Sequence, residues 1–176
     1  MKIFLRSKWF KFGLWAATFT LTLIFSATSS FGTELVVSRR VPASLVVDML
    51  QATIAKCKAE GWNVSATIVD SSGVVQGLVR MDKAGPHTVD ASQMKAFGAA
   101  SFKRSTKILQ KMTKPPEGGA WGLHKVKGAL FSTGGLPLVV DGEVVGGIGV
   151  GGAPGGQKDE TCAQAGIAVM KRALTR

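Results

Sequence analysis

Residues 143–152 read Glu-Val-Val-Gly-Gly-Ile-Gly-Val-Gly-Gly, a strand-like run made largely of glycine. Glycine weakens a strand, so it is kept where something must approach the backbone closely. Alternation along a strand puts Gly147, Gly149 and Gly151 on one face and Ile148 and Val150 on the other. One side of that strand is therefore bare. A helix, a second subunit or a flat ligand could lie against it. Leu136–Val140 precedes it, and Asp141-Gly142 between the two runs suits a tight hairpin turn.

The first residues do not belong to the same fold. Lys2, Arg6, Lys8 and Lys11 form a basic head, and Phe12 to Ala27 is nearly all apolar. Ser30-Phe31-Gly32 is a small-x-small site, with Ala27-Thr28-Ser29 as a second candidate. This is the layout of a secretory signal peptide. The apolar run is short for a bilayer span, which needs about 20 residues. Residues 1–32 are therefore expected to be cleaved, leaving residues 33–176 as one periplasmic or secreted domain with no stable membrane span. Cleavage lowers the formal net charge of +11 by four and leaves it positive. A basic exported domain suits anionic partners such as carboxylates, phosphates or membrane surfaces. Its cations are scattered without an aromatic-interleaved patch, which argues against nucleic acid and for a solvated surface.

Cys57 and Cys162 are the only cysteines, and each falls in an expected helix. An oxidising compartment permits a bridge if those helices lie side by side. Two buried free thiols are the alternative.

The rest of the pattern is α+β. Leu45, Val46, Met49, Leu50, Ile54 and Cys57 recur at helical spacing, and Gly61 is a stop. Val64–Asp70 and Val74–Arg80 read as an antiparallel hairpin. Thr88 is the expected cap of a helix running to about Phe102, with Met94, Phe97 and Ala100 or Ser101 on one face. Ser105 caps a shorter helix, a loop occupies residues 113–128, and Asp159 caps the last helix. The result is an antiparallel sheet of two hairpins flanked by helices.

Taken in order, these segments resemble the GlcG/HbpS family of haem-binding or haem-degrading domains. The resemblance rests on Val69-Asp70-Ser71-Ser72-Gly73, Arg80-Met81-Asp82, Lys95-Ala96 and Gly134-Gly135-Leu136-Pro137. It continues through Gly146 to Gly152, then Asp159-Glu160 and Ala165-Gly166, and spans Leu45 to Leu174. It implies a single α+β domain that assembles as a homo-oligomer, and haem as a cofactor. Gly151 departs from it, since the family more often has Ser there, and so does Pro86-His87-Thr88, where apolar residues are commoner.

The candidate ligand-binding residues are His87, Arg80, Met81, Asp82, Lys95, Gly134, Gly135, Gly147 and Gly149. His is a common haem ligand, and His87 lies inside the family-like stretch while His124 lies in the loop. His87 is therefore the candidate iron ligand. Arg80 and Lys95 suit an anionic ligand, although Arg80 and Asp82 could equally pair at a strand end, and the Lys95 amine could simply reach water. Asp159-Glu160 reads as a helix cap before a catalytic pair. The string Gly147-x-Gly149-x-x-Gly152 lacks the immediate helix and later acid that a dinucleotide site needs. No catalytic residues are readable, since no nucleophile, base and orienting group stand out. The expected function is that of an exported accessory protein that binds, stores or senses haem or a similar planar anionic cofactor, with haem degradation left open. The alternative is an accessory protein or enzyme of small hydroxy-acid metabolism.

Overall fold

The structure, a computed structural model, describes residues 35–115 and 119–175. The expected signal peptide lies outside the described residues. From Val36 onward the described residues gather into one compact unit.

Helix α1 (Ala43–Ala59) forms where the apolar spacing places it, burying Val46, Met49, Leu50, Thr53 and Cys57. Gly61 ends it with a positive φ of 75°, a conformation that glycine adopts without a side-chain clash. β1 (Ser65–Asp70) and β2 (Val75–Arg80) form the first hairpin, and β3 (Gly135–Val140) and β4 (Glu143–Gly151) the second. Both residues of the Asp141-Gly142 turn have positive φ, as a tight hairpin of this hand requires. The sheet order is β2-β1-β4-β3, antiparallel throughout. Pro137 sits in the edge strand β3, where its missing N–H is tolerated.

The two faces of the sheet are covered differently. α1 and α4 (Gly156–Leu174) lie together on one face, where Met49, Leu50, Ile68, Ile148, Ala163 and Met170 belong to the main core. Cys57 and Cys162 join these two helices in a disulfide that spans 105 residues of sequence, with Cα atoms 5.5 Å apart. A loop of that length is worth about 4–5 kcal/mol in the chain-entropy picture. The other face carries α2 (His87–Ser101), with α3 (Thr106–Thr113) following it.

α2 occupies the bare side of β4. A side chain on Gly149 would collide with the Ser92 carbonyl and the Ala96 N–H, and one on Gly147 with the Ala96 carbonyl. The helix backbone thus rests directly on the strand. A slot between helix and sheet for a flat ligand at Gly147 and Gly149 is taken up by α2 itself. The cross-strand partners on β1 carry hydroxyls: Thr67 faces Gly149 and Ser65 faces Gly151. Ser65 and Thr88 share a 2.7 Å hydrogen bond, as do Thr67 and Ser92. Thr88 and Ser92 also lie within bonding distance of the Gly85 and Val89 carbonyls. Each hydroxyl has one proton, so Ser65 and Thr67 act as donors in these pairs.

The buried face of α2 is Thr88, Ser92, Lys95, Ala96, Gly98, Ala99 and Ala100, where the helix carries its small residues. Only small side chains let the helix backbone reach the glycines. Thr88 is not the cap, because α2 starts after Pro86 and the Thr88 hydroxyl is spent on Ser65 and Gly85. Asp159 is not the cap of α4 either, because that helix begins at Gly156. Ser105 does cap α3, accepting a hydrogen bond from the Ile108 N–H.

Gly149→Ala should lower stability by about 1–3 kcal/mol or more, since backbone rather than a flexible side chain must move. Gly119→Ala, where an added methyl meets nothing, should stay within about 0.5 kcal/mol of wild type. Urea denaturation reads both, and equal midpoints for the two variants would contradict this packing.

Candidate functional site

The strand register sets Arg80, Ser65 and Gly151 in one row at one end of the sheet. β3 begins at the same end, since Gly135 is opposite Gly149. Arg80 and Gly134 thus stand at opposite edges of that end, about 14 Å apart by three strand spacings. The expected site residues divide along this row.

At the β2 edge the chain turns sharply. The Met81 N–H donates to the Val64 carbonyl, the Ala84 N–H to the Met81 carbonyl, and Arg80 Nε to the Ala84 carbonyl at 2.9 Å. Met81 Sδ accepts from the Val64 N–H at 3.5 Å. These bonds hold Arg80, Met81 and Asp82 against the end of α1 around a cleft of about 450 Å³. Ile54, Lys58, Asn63, Val79 and Lys83 complete its lining. Ile54, Val79 and Met81 give it an apolar part, while Lys58, Arg80 and Lys83 outnumber the lone carboxylate of Asp82. No ion pair joins Arg80 to Asp82, although other exposed pairs such as Arg39–Asp141 do form. Both Arg80 and Asp82 remain exposed to solvent.

His87 opens α2 just beyond this turn. It is exposed, and its ring lies over Gly85, where an added side chain would strike it. His124 lies elsewhere, in a 3-10 turn (Trp121–Lys125), with its ring 5.6 Å from that of Phe131. Among the described residues no three His, Cys, Asp or Glu side chains gather into a metal-binding cluster.

At the opposite edge Lys95 and Asp159 form a closed ion pair. Lys95 Nζ donates to Asp159 Oδ2 at 2.8 Å and to the Val150 carbonyl at 2.9 Å. Asp159 Oδ1 accepts from the Ala153 N–H at 2.9 Å. Both side chains are almost fully buried, so the Lys95 amine meets a carboxylate and not water. Gly134 borders the pair with a φ of 128°, and a side chain there would meet Lys95 Nζ, Asp159 and the Val150 carbonyl. Gly135 packs on the Lys95 carbonyl. Lys95 belongs to α2 and Asp159 to α4, so the pair fastens the helices of opposite faces at the end of the sheet. Burial pushes the Asp159 carboxyl up from its ordinary value, while the hydrogen bond and charge of Lys95 and the Ala153 N–H pull the other way. Desolvation thus outweighs the attraction, as is common for buried ion pairs.

The structure therefore brings together Arg80, Met81 and Asp82, and separately Lys95 and Gly134. It sets Gly135, Gly147 and Gly149 under α2. The cleft also contains Ile54, Lys58, Asn63, Val79 and Lys83, which sequence reading did not propose as site residues. Ile54 and Lys58 are four apart and share a face of α1, a spacing visible in the sequence. Nothing local marks Asn63 or Lys83.

A family model described as haem degrading protein HbpS-like matches residues 41–168. Protein GlcG of Escherichia coli K12 is 30% identical over 118 residues, which cover 67% of this chain and 83% of GlcG. The crystal structure of a double mutant of Streptomyces reticuli HbpS is similar with a TM-score of 0.74 and 36% identity, covering 79% of this chain and 92% of that one. The crystal structure of a PduOC:heme complex has the same fold, with a TM-score of 0.69 at 23% identity over 74% of this chain and 95% of that one.

Removing either member of the buried pair, by Lys95→Met or Asp159→Ala, should cost about 3–5 kcal/mol, and Lys95→Met with Asp159→Leu should recover most of it. The Asp159 carboxyl binds its proton more tightly folded than unfolded. Its contribution is therefore fully present below the ordinary aspartate range and falls as pH rises from there through the raised folded value. Wild-type stability relative to the double variant should decline across that window. Urea midpoints measured against pH test both, and a rising difference would contradict the sign.

Proposed function

Because this chain belongs to the HbpS-like family, we propose that it is an exported protein that binds haem, or a similar planar anionic cofactor, at the β2 end of its sheet. The observation that carries this reading is the 450 Å³ cleft, which sets apolar Ile54, Val79 and Met81 beside the cations of Lys58, Arg80 and Lys83. A flat apolar body with carboxylates needs both. The residues present fit such a group, with the apolar side chains taking its body and the three cations its propionates. His87 does not line the cleft but opens α2 just after the same turn and is exposed, and it would supply a ligand to the iron. Haem, when bound, would supply an iron centre whose reactivity depends on such a ligand.

The chain's own contributions follow from the geometry. The Arg80–Ala84 and Met81–Val64 hydrogen bonds hold the cationic turn in place. The charge balance of the cleft draws an anion toward it. The disulfide between Cys57 and Cys162 supports export, since such bonds persist in oxidising compartments. Assembly with further copies is part of the same proposal. Val74, Val75 and Val79 are exposed along the β2 edge and offer it an apolar surface.

Hemin titration tests the reading. Wild type should give a shifted Soret band at near-stoichiometric hemin. His87→Ala should change the band, and Arg80→Ala with Lys83→Ala should weaken binding roughly tenfold. No Soret change in wild type would overturn it. If small hydroxy or keto acids raise Tm and hemin does not, the same cleft serves a small carboxylate instead.

A further inference from the structure

α3 buries Thr106, Leu109 and Thr113 and turns Ile108 and Met112 outward, 46% and 38% exposed. These two apolar side chains, one helical turn apart, share a shallow hollow with Lys107 and Lys111. An adjoining hollow uses the same two lysines and adds Lys114. Exposed Lys103 and Arg104 lead into the helix. The 3-10 turn that carries Lys125 packs against α3, and exposed Val126 and Lys127 follow it. From Ala91 to Val140 the sequence has eight Lys or Arg residues and one acid, Glu117. Of the eight, only Lys95 is buried.

We propose that this face docks on an anionic phospholipid surface, with Ile108 and Met112 entering the headgroup boundary and the surrounding cations pairing with lipid phosphates. The charge complementarity is strong, because this stretch sets seven exposed cations against the single acid Glu117. An apolar pair ringed by long cationic side chains is also the arrangement that interfacial helices use. The apolar atoms leave water, and the flexible amines reach back to the phosphates. An acidic protein surface is the competing occupant, and the test below separates it from lipid. The inference is independent of the haem reading, since the cleft at Arg80 shares no residue with this face.

Vesicle co-sedimentation tests it, using the chain from Val36, whose sheet, core and disulfide are complete without the preceding residues. Binding should be weak on phosphatidylcholine vesicles and strong when about a third of the lipid is phosphatidylglycerol, and it should fall at about 0.5 M salt. Lys107→Glu with Lys111→Glu should lower partitioning roughly tenfold or more. Ile108→Ser with Met112→Ser should lower it several-fold while leaving the charge unchanged. All of these positions are exposed, so matching circular dichroism and Tm confirm that the variants fold. Equal binding to both vesicle types, or none to either, would overturn the proposal. So would anionic-vesicle binding that survives either double substitution. Retention on polyglutamate without binding to the anionic vesicles would also overturn it, in favour of an acidic protein partner.

Discussion

The direct seating of the α2 backbone on the glycines of β4 decides most of the rest. A helix that approaches this closely can set only small residues against the strand, here Ser92, Ala96 and Ala100. Such a face brings little apolar area, and the cluster around Val69, Ala96 and Ala100 is correspondingly small. Hydroxyl pairs from β1 and the closed Lys95–Asp159 pair fix the helix where apolar packing is thin. Buried polar groups of this kind are tolerable because each has its partners. The opposite face, between the sheet and α1 with α4, holds the larger apolar cluster and the disulfide.

The same seating governs where a ligand can go. With the bare side of β4 filled by the chain's own helix, space remains at the rims of the sheet. The β2 end is open because the strand stops at Arg80 and the chain turns back through Ala84 before α2 begins. The β3 end of the same row is closed by Lys95, Asp159 and Gly134. The two ends of this row thus do different work. Lys95 and Asp159 are desolvated and occupied with each other. Arg80 and Asp82 are exposed and form no ion pair with each other.

Much of this was legible before any coordinates. The periodicity of α1, the Asp-Gly turn and the two hairpins all come from local rules, and the structure keeps them. The glycine face was visible too, but what covers it was not, because strand alternation names a gap and not its occupant. On α2 size rather than hydrophobicity selects the buried face: Met94 and Phe97 are only partly buried, while Ala96, Gly98, Ala99 and Ala100 are buried. The start of α4 was misplaced because Gly155 caps it without a side chain, while Asp159 offers the stronger capping signal. The cleft was half legible: Arg80-Met81-Asp82 is contiguous, but Lys58 and Asn63 join it only through the packing of α1 against the end of β2.

Under the proposed function the ligand sits at the open rim, away from the glycines that α2 covers. Nuclear magnetic resonance of the isotope-labelled protein with added ferric hemin tests that division most directly. The expected result is paramagnetic broadening confined to the amides around Lys58, Asn63, Arg80–Lys83 and His87, with Ser92–Ala100 and Gly146–Gly151 left sharp. Broadening centred on α2 and β4 would contradict it, since the ligand would then lie where this structure packs a helix.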